Sequence, residues 1–147
     1  MTTPTALEIR LVAGNGERDA ALALRHRVFC EEQGVALDLE ADGRDGEALH
    51  VVAVSDGAVV GTCRLVLDGS TAKLGRMAVE PEARGRGIGA ALLAGAEREA
   101  RAAGADRIAL HAQAHARELY ARGGFAERGE IFVEAGIEHV LMEKRLA

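Results

Sequence analysis

The sequence has very few aromatic, proline and cysteine residues. It contains no tryptophan, one tyrosine, three phenylalanines, two prolines and two cysteines in 147 residues. Two cysteines, Cys30 and Cys63, are too few for a disulfide framework, and their spacing is not that of metal ligands. A core without large rings must come from alanine, leucine, valine and isoleucine. With 48% hydrophobic residues and this length, we expect a single domain over 1–147.

Long apolar stretches are also missing. The longest uncharged apolar run, residues 87–96 including the stretch 90–96, is far shorter than the ~20 residues that cross a membrane. The N-terminal MTTPTALEIR has neither a basic start nor an apolar segment, so we expect no signal peptide and no membrane partner. Unpaired cysteines in such a chain favour a reducing, cytoplasmic location.

Basic charge is scarce in one part of the chain. The net charge is −5, which disfavours a nucleic-acid partner. Residues 31–47, the acidic segment, hold seven carboxylates and only one basic residue, Arg44. Such a segment can attract a cationic substrate to a nearby cleft or can be a solvated loop. Part of it imitates an EF-hand loop, but Leu49 occupies the twelfth position and a strand follows, so we expect no metal.

Hydrophobic periodicity predicts an α+β domain. An alternating strand over 7–13 precedes a helix over 17–33. Strands at 48–55, 58–67 and 72–79 are separated by short turns, including AspGly at 56–57, and predict an antiparallel meander. A helix beginning near Ile88 and ending at Gly104 leads to a strand at 106–112, which we expect to lie parallel to 72–79. A short helix at 115–122 and two strands within 125–146 complete the chain.

A glycine-rich stretch before the second long helix predicts a phosphate site. Residues 74–90 read LGRMAVEPEARGRGIGA, with glycines at 85, 87 and 89 and arginines at 84 and 86. Free backbone N–H groups at a helix start, together with arginines, suit a diphosphate. No lysine completes a P-loop. A dinucleotide fingerprint fits Gly85, Gly87 and Ala90, but residues 80–84 separate it from the strand, and no acidic ribose partner follows.

The same stretch resembles the signature of the GNAT superfamily of acyl-CoA N-acyltransferases. Arg84, Gly87 and Gly89 match its motif of Gln or Arg, two residues, Gly, one residue, then Gly or Ala. The preceding GRMAV at 75–79 and the later ARELYARGGF at 116–125 follow in the family's order. Segments 25–35, 112–120 and 132–144 are similar to the ElaA-like branch in particular.

The resemblance implies a fold and a donor site. The fold is a mixed, mostly antiparallel sheet flanked by helices, with a parallel strand pair around the site of coenzyme A (CoA). Acetyl-CoA is the implied co-substrate, and Tyr120 is the implied acid that protonates the departing thiolate. Gln113 stands where the family often has an asparagine that binds pantetheine. The implied pantetheine contacts are Met77, Ala78 and Val79, and the implied diphosphate contacts are Arg84, Gly85, Arg86, Gly87, Ile88 and Gly89.

The acceptor and its base are less defined. The resemblance implies an amine acceptor, which is protonated at neutral pH and must lose a proton before it attacks. The motif assigns no base; the candidates by position are His111, Gln113, His50, Glu31 and Glu32. Neither cysteine is placed as an acyl carrier, so we expect direct transfer in a ternary complex. A non-catalytic acyl-CoA sensor is the alternative, and the resemblance also permits a homodimer.

Overall fold

A computed structural model describes residues 7–146 of the chain, with seven strands in one sheet. The strands are β1 (Leu7–Leu11), β2 (Leu49–Ser55), β3 (Ala58–Asp68), β4 (Thr71–Val79), β5 (Arg107–Gln113), β6 (Ala126–Glu134) and β7 (Ile137–Arg145). The α-helices are α1 (Gly14–Arg25), α2 (Leu37–Glu40), α3 (Ile88–Ala102) and α4 (Arg117–Arg122). A π-helical segment (His26–Glu32) continues α1, and single 3₁₀ turns occupy Pro81–Ala83 and Ala114–Ala116.

The sheet order is β1-β2-β3-β4-β5-β7-β6. Neighbouring strands are antiparallel except β4 and β5, which are parallel and joined through α3. The expected mixed sheet, its antiparallel meander and its parallel pair are therefore confirmed. The predicted final hairpin also forms, with β7 inserted between β5 and β6.

Two layers of helix cover the sheet. Leu92, Ala96 and Ala100 of α3 are completely buried in the main core together with residues of β2, β3, β5 and β7. On the other face, Leu24 of α1 and Val28 of the π-helical segment pack on Ala78 of β4. The small residues of α3 let the helix lie close to the sheet, as the aromatic-poor composition requires.

The first helix differs from its prediction at both ends. It begins at Gly14, so Asn15 and Gly16 lie in its first turn instead of ending a strand. Glu17 accepts the N–H of Ala13 at 2.8 Å and ion-pairs with Arg10 of β1, which stabilises this early start. Residues 26–32 of the predicted helix are π-helical, and Gln33 lies beyond the helix end. This wider turn presents Val28, Phe29 and Glu32 to the region beside β4.

Candidate active site

The strands β4 and β5 separate from each other halfway along their length. Their register runs only from Thr71 opposite Arg107 to Leu74 opposite Leu110. Beyond that point, 75–79 and 111–113 diverge and have no pairing with each other in the described part of the chain. Met77, Ala78 and Val79, the expected pantetheine contacts, lie on the open side of this splay. An extended amide-bearing chain could therefore pair with β4 there as an added strand would.

A β-bulge changes the direction of β4 at the start of the splay. Thr62 of β3 pairs with Ala78 and Arg64 with Gly75, so β4 has one residue more than β3 in this interval. Arg76 in the bulge has φ of +54°, the left-handed region that non-glycine residues rarely occupy. Its guanidinium donates to the carbonyls of Leu39 and Glu40, at 3.1 and 3.2 Å, which stabilises the bulge.

The glycine-rich loop connects β4 to α3. Gly85 and Gly87 have φ of +78° and +80°, and Gly87 is the N-cap of α3, so both lie before the helix. Their glycine identity follows from this backbone conformation, which residues with a side chain rarely adopt. Gly89 lies in the first turn of α3. A Cβ on Gly89 would come within 3.4 Å of Leu119 Cδ2, so its missing side chain keeps this narrow gap open.

Two openings meet at this loop. The narrow cavity, about 500 Å³, lies between the glycine-rich loop, α3 and α4. The wide cleft, about 770 Å³, lies between the π-helical segment, α2 and the cleft-facing side of β4 to β7. Four residues border both: Val79, Arg84, Gly89 and Leu119. The first-turn N–H groups of α3, which have no partner within a helix, lie at this junction. Arg86, an expected diphosphate contact, is exposed and borders neither opening.

Arg84 is engaged by groups of the protein itself. Its two terminal nitrogens each donate to a carboxylate oxygen of Glu32 at 2.7 Å, and its Nε donates to the Val79 carbonyl at 3.1 Å. The hydrogen bonds from Arg84 lower the pKa of Glu32, and the pKa of Arg84 is raised in turn. Arg84 and Val79, two of the residues expected to contact the acyl donor, are therefore hydrogen-bonded to each other.

Tyr120 of α4 lies beside β4. Its hydroxyl is 3.8 Å from Met77 Sδ, and its ring packs edge-on against Phe125. Burial raises the pKa of Tyr120 to about 12. The phenol is thus protonated throughout the physiological pH range, and it borders the wide cleft next to an expected pantetheine contact.

The five base candidates occupy very different places. His50 is buried, with Nε2 2.9 Å from the carbonyl of Asp45, and Glu31 is exposed; neither borders the wide cleft. Glu32 is paired with Arg84. Gln113 borders the cleft, but its Nε2 donates to Gln33 at 2.9 Å. His111, half exposed, borders the cleft at the splay with Nδ1 3.1 Å from Glu134.

The acidic segment folds against arginines from the rest of the chain. Arg25 is almost completely buried and pairs with Glu40 at 2.7 Å and Asp45 at 2.8 Å. Arg64, also buried, forms two 2.8 Å hydrogen bonds with Asp42, which hold the pKa of that carboxyl well below its usual range. The solvated-loop interpretation is therefore wrong for these three carboxylates, because they tie α2 and its loop to α1 and β3.

Both cysteine thiols have pKa values above their usual range. Cys63 is completely buried, and burial raises its thiol pKa to about 12. Burial also raises the pKa of Cys30. Within the described ranges no three His, Cys, Asp or Glu side chains are arranged to hold a metal ion. No described helix is long and apolar enough to span a membrane.

Glu134 and His139 are cleft residues that the sequence analysis missed. Glu134 ends β6 and pairs in register with Ile137, while Phe132 pairs with His139 and Gln113 with His139. Directly paired residues of antiparallel strands point to the same side of a sheet. The alternation of Phe132 and Glu134 in the predicted hairpin is the signal that could have placed them beside His111.

Comparison with known proteins gives consistent similarities. Residues 17–146 match the family profile described as "Acetyltransferase (GNAT) domain". The uncharacterized N-acetyltransferase YjcF of Bacillus subtilis is 32% identical over 91% of this chain and 97% of its own. An acyl-CoA N-acyltransferase structure from Pseudomonas aeruginosa superposes with a TM-score of 0.81, 30% identity, and 95% and 99% of the two chains covered. Escherichia coli ElaA has the same fold, with a TM-score of 0.83, 24% identity and 95% and 99% coverage.

Proposed function

The chain belongs to the GNAT acetyltransferase family, and we propose that it transfers an acetyl group from acetyl-CoA directly to an amine. One observation carries the proposal: the narrow cavity and the wide cleft meet at the glycine-rich loop, and the wide cleft continues from there along the open part of β4 to the point where β4 leaves β5. A donor that enters from the glycine-rich loop can reach the splay from one side. An acceptor can reach it from the other, as a ternary complex requires.

The donor would be held mainly by backbone groups. The diphosphate would lie against the N–H groups at the start of α3, where the helix dipole favours negative charge. The pantetheine arm would pass Gly89, whose missing side chain leaves the gap beside Leu119 open, and would pair with 77–79 of β4. Arg84 would exchange Glu32 for the diphosphate.

Chemistry would take place at the splay. Backbone N–H groups of β4 would polarise the thioester carbonyl, and the protonated phenol of Tyr120 would donate to the departing sulfur. His111 is the base we propose, because it alone among the five candidates combines a position at the splay with an imidazole open to the cleft. The buried, high-pKa Cys63 offers no acyl carrier.

A non-catalytic acyl-CoA sensor is the second candidate. Arg84 already pairs with Glu32, and a protein whose ligand breaks such a pair could report acyl-CoA without reacting. The sensor needs the donor site but neither Tyr120 nor a base. A dinucleotide enzyme would instead bind NAD at the glycine-rich loop.

The test measures the thermal stability of the protein in parallel titrations with acetyl-CoA, CoA and NAD. At about 100 times its dissociation constant a ligand adds ~2.7 kcal/mol, or about 5–10 °C in a domain of this size. Gly87→Asp should abolish the shift, because it adds a carboxylate at the diphosphate position. Gly69→Asp is the matched control, since Gly69 also has a left-handed backbone, φ +61°, but lies in the β3–β4 turn.

The outcomes separate the alternatives. Stabilisation by both CoA ligands in the wild type and the Gly69 variant supports the donor site, and thiol release with a panel of primary amines then supports transfer. Stabilisation without thiol release favours the sensor. A response to NAD alone, or to no ligand, contradicts both.

A further inference from the structure

His111 is hydrogen-bonded to a carboxylate that comes from a different hairpin. His111 lies in β5, and its Nδ1 is 3.1 and 3.2 Å from the two oxygens of Glu134 at the end of β6. The strand β7 separates the two residues in the sheet. Both side chains border the wide cleft and are about half exposed, at 50% and 51%. An ion pair this exposed contributes little to folding stability, so stability alone does not explain the arrangement.

The contact determines which ring nitrogen can act as a base. An ionised carboxylate only accepts hydrogen bonds, so Nδ1 of His111 carries the proton that is donated to Glu134. In the neutral ring Nε2 then has the free lone pair. Within residues 7–146, no group donates a hydrogen bond to this Nε2, so its lone pair is available to a molecule in the cleft.

Neighbouring rings fix the orientation of the pair. Phe132 contacts His111 edge-on, with centroids 5.0 Å apart, and stacks on His139 at 6.0 Å. The Nδ1 of His139 donates to the carbonyl of Ile137 at 2.7 Å, and its Nε2 faces Glu134 at 3.9 Å. The Glu134 carboxylate therefore lies between two imidazoles, one open to the cleft and one almost buried.

The pair lies at the point where the thioester would lie. Leu74 and Leu110 form the last β4–β5 pair, so His111 is the first residue of β5 on the open splay, across from Gly75 and the bulge of β4. Apart from the acidic segment and its partner Arg64, the other charged or titratable side chains that border the cleft are Lys73, Arg76, Arg84, His115, Tyr120, Glu134 and His139. Of these, only Glu134 is bonded to the His111 ring.

We propose that Glu134 is a positioning residue, which holds His111 with Nδ1 protonated so that Nε2 takes the proton of the amine acceptor. This inference rests on the proposed transferase function and adds to it a carboxylate–imidazole dyad drawn from β6 and β5. The carboxylate also stabilises the imidazolium that forms when the proton arrives. On the buried side of the dyad, His139 stacks on Phe132, which contacts the His111 ring.

Each proton and electron pair in the step has a destination. The ammonium of the acceptor gives one proton to Nε2 of His111, which later passes it to solvent. The freed nitrogen lone pair forms the new C–N bond, and the C–S pair leaves on sulfur. Sulfur takes the phenolic proton of Tyr120, and the second nitrogen proton, released as the amide forms, returns to Tyr120. The products are the N-acetyl amide, CoA and one proton.

The first arm of the test is kinetic. It uses the amine that turns over fastest in a panel of primary amines, with CoA release followed from pH 5.5 to 9. His111→Gln should lower kcat on the order of 100-fold and remove the acidic limb of the kcat/KM profile. Glu134→Gln should lower kcat about 10-fold and move that limb to lower pH, because the imidazolium loses its carboxylate. Glu130→Gln, an exposed carboxylate of the same strand that does not border the cleft, should change neither.

The second arm needs no activity. In ¹⁵N-labelled protein without ligand, the ring-nitrogen signals of His111, identified by their loss in His111→Gln, should show the Nδ1–H form. Glu134→Leu should shift the ring toward the Nε2–H form that predominates in free histidine. CoA binding, measured by calorimetry, should be the same in wild type, Glu134→Gln and Glu134→Leu.

The two arms distinguish the possible failures. If CoA does not bind the wild type, the proposed function fails. If CoA binds but His111 carries its proton on Nε2, or Glu134→Gln leaves the pH profile unchanged, the dyad is refuted while the donor site stands. Nδ1–H in the wild type with a displaced acidic limb in Glu134→Gln supports the dyad.

Discussion

Removal of Glu32 should strengthen CoA binding. The Glu32 carboxylate receives both terminal nitrogens of Arg84 at 2.7 Å, so a diphosphate must displace it before it can use that guanidinium. Both side chains are partly exposed, at 44% and 41%, and exposed ion pairs contribute about 0.2–1 kcal/mol. Glu32→Gln should therefore lower the dissociation constant of CoA by a factor of about 1.4–5.

The effect should depend on both Arg84 and the diphosphate. Isothermal titration should show no gain with pantetheine, which lacks the diphosphate. In a double-mutant cycle, Glu32→Gln should have no effect once Arg84 is alanine. The lowered pKa of Glu32 keeps the carboxylate ionised at neutral pH, so Glu32 and the diphosphate should compete for Arg84 at neutral pH. Weaker CoA binding in Glu32→Gln, or an equal gain in the Arg84→Ala background, would show that Glu32 does not compete with the diphosphate for Arg84.

Three further predictions concern catalysis and stability. Tyr120→Phe should leave CoA affinity, measured by calorimetry, unchanged, because the proposed donor contacts are mainly backbone groups. It should reduce kcat, measured by CoA release, by about 100-fold or more, because the departing sulfur loses its acid. Arg25→Met should lower the free energy of unfolding by about 3–5 kcal/mol in urea, since it leaves the buried Glu40 without its partner. Arg64 lowers the pKa of Asp42 in the folded protein. The ionised Asp42 therefore contributes fully to stability above about pH 4, and this contribution is lost as the pH falls further. Asp42→Asn should flatten that acid dependence in thermal melts, and an unchanged slope would count against it.

Most of the fold could be predicted because local patterns and long-range packing agree. Valine-rich strands with AspGly at 56–57 formed the meander, where Asp56 and Gly57 both have the positive φ that a type I′ turn needs. The helix after the glycine-rich loop enforced the parallel β4–β5 pair. The start of α1 was missed because Glu17 and Arg10 stabilise a turn that AsnGly alone would break.

In the candidate site, the sequence could predict only those residues that belong to a motif. The contacts of Arg84 were not foreseeable, because Glu32 is far from it along the chain and reaches it through a π-helical turn. Glu134 belongs to no motif. It contacts His111 only because the sheet order places β6 one strand away from β5, with β7 between them. The acidic segment was ambiguous because its partners, Arg25 and Arg64, lie on separate elements.

Under the proposed function, acetyl-CoA lies across the β4–β5 splay with its diphosphate on the glycine-rich loop. The most direct test is an amide ¹H–¹⁵N titration with acetyl-CoA and, separately, with pantetheine. We expect acetyl-CoA to shift the amide signals of 77–79 and of 85–90, and pantetheine to shift only those of 77–79. Shifts confined to other elements, or the same loop responding to NAD and not to acetyl-CoA, would contradict it.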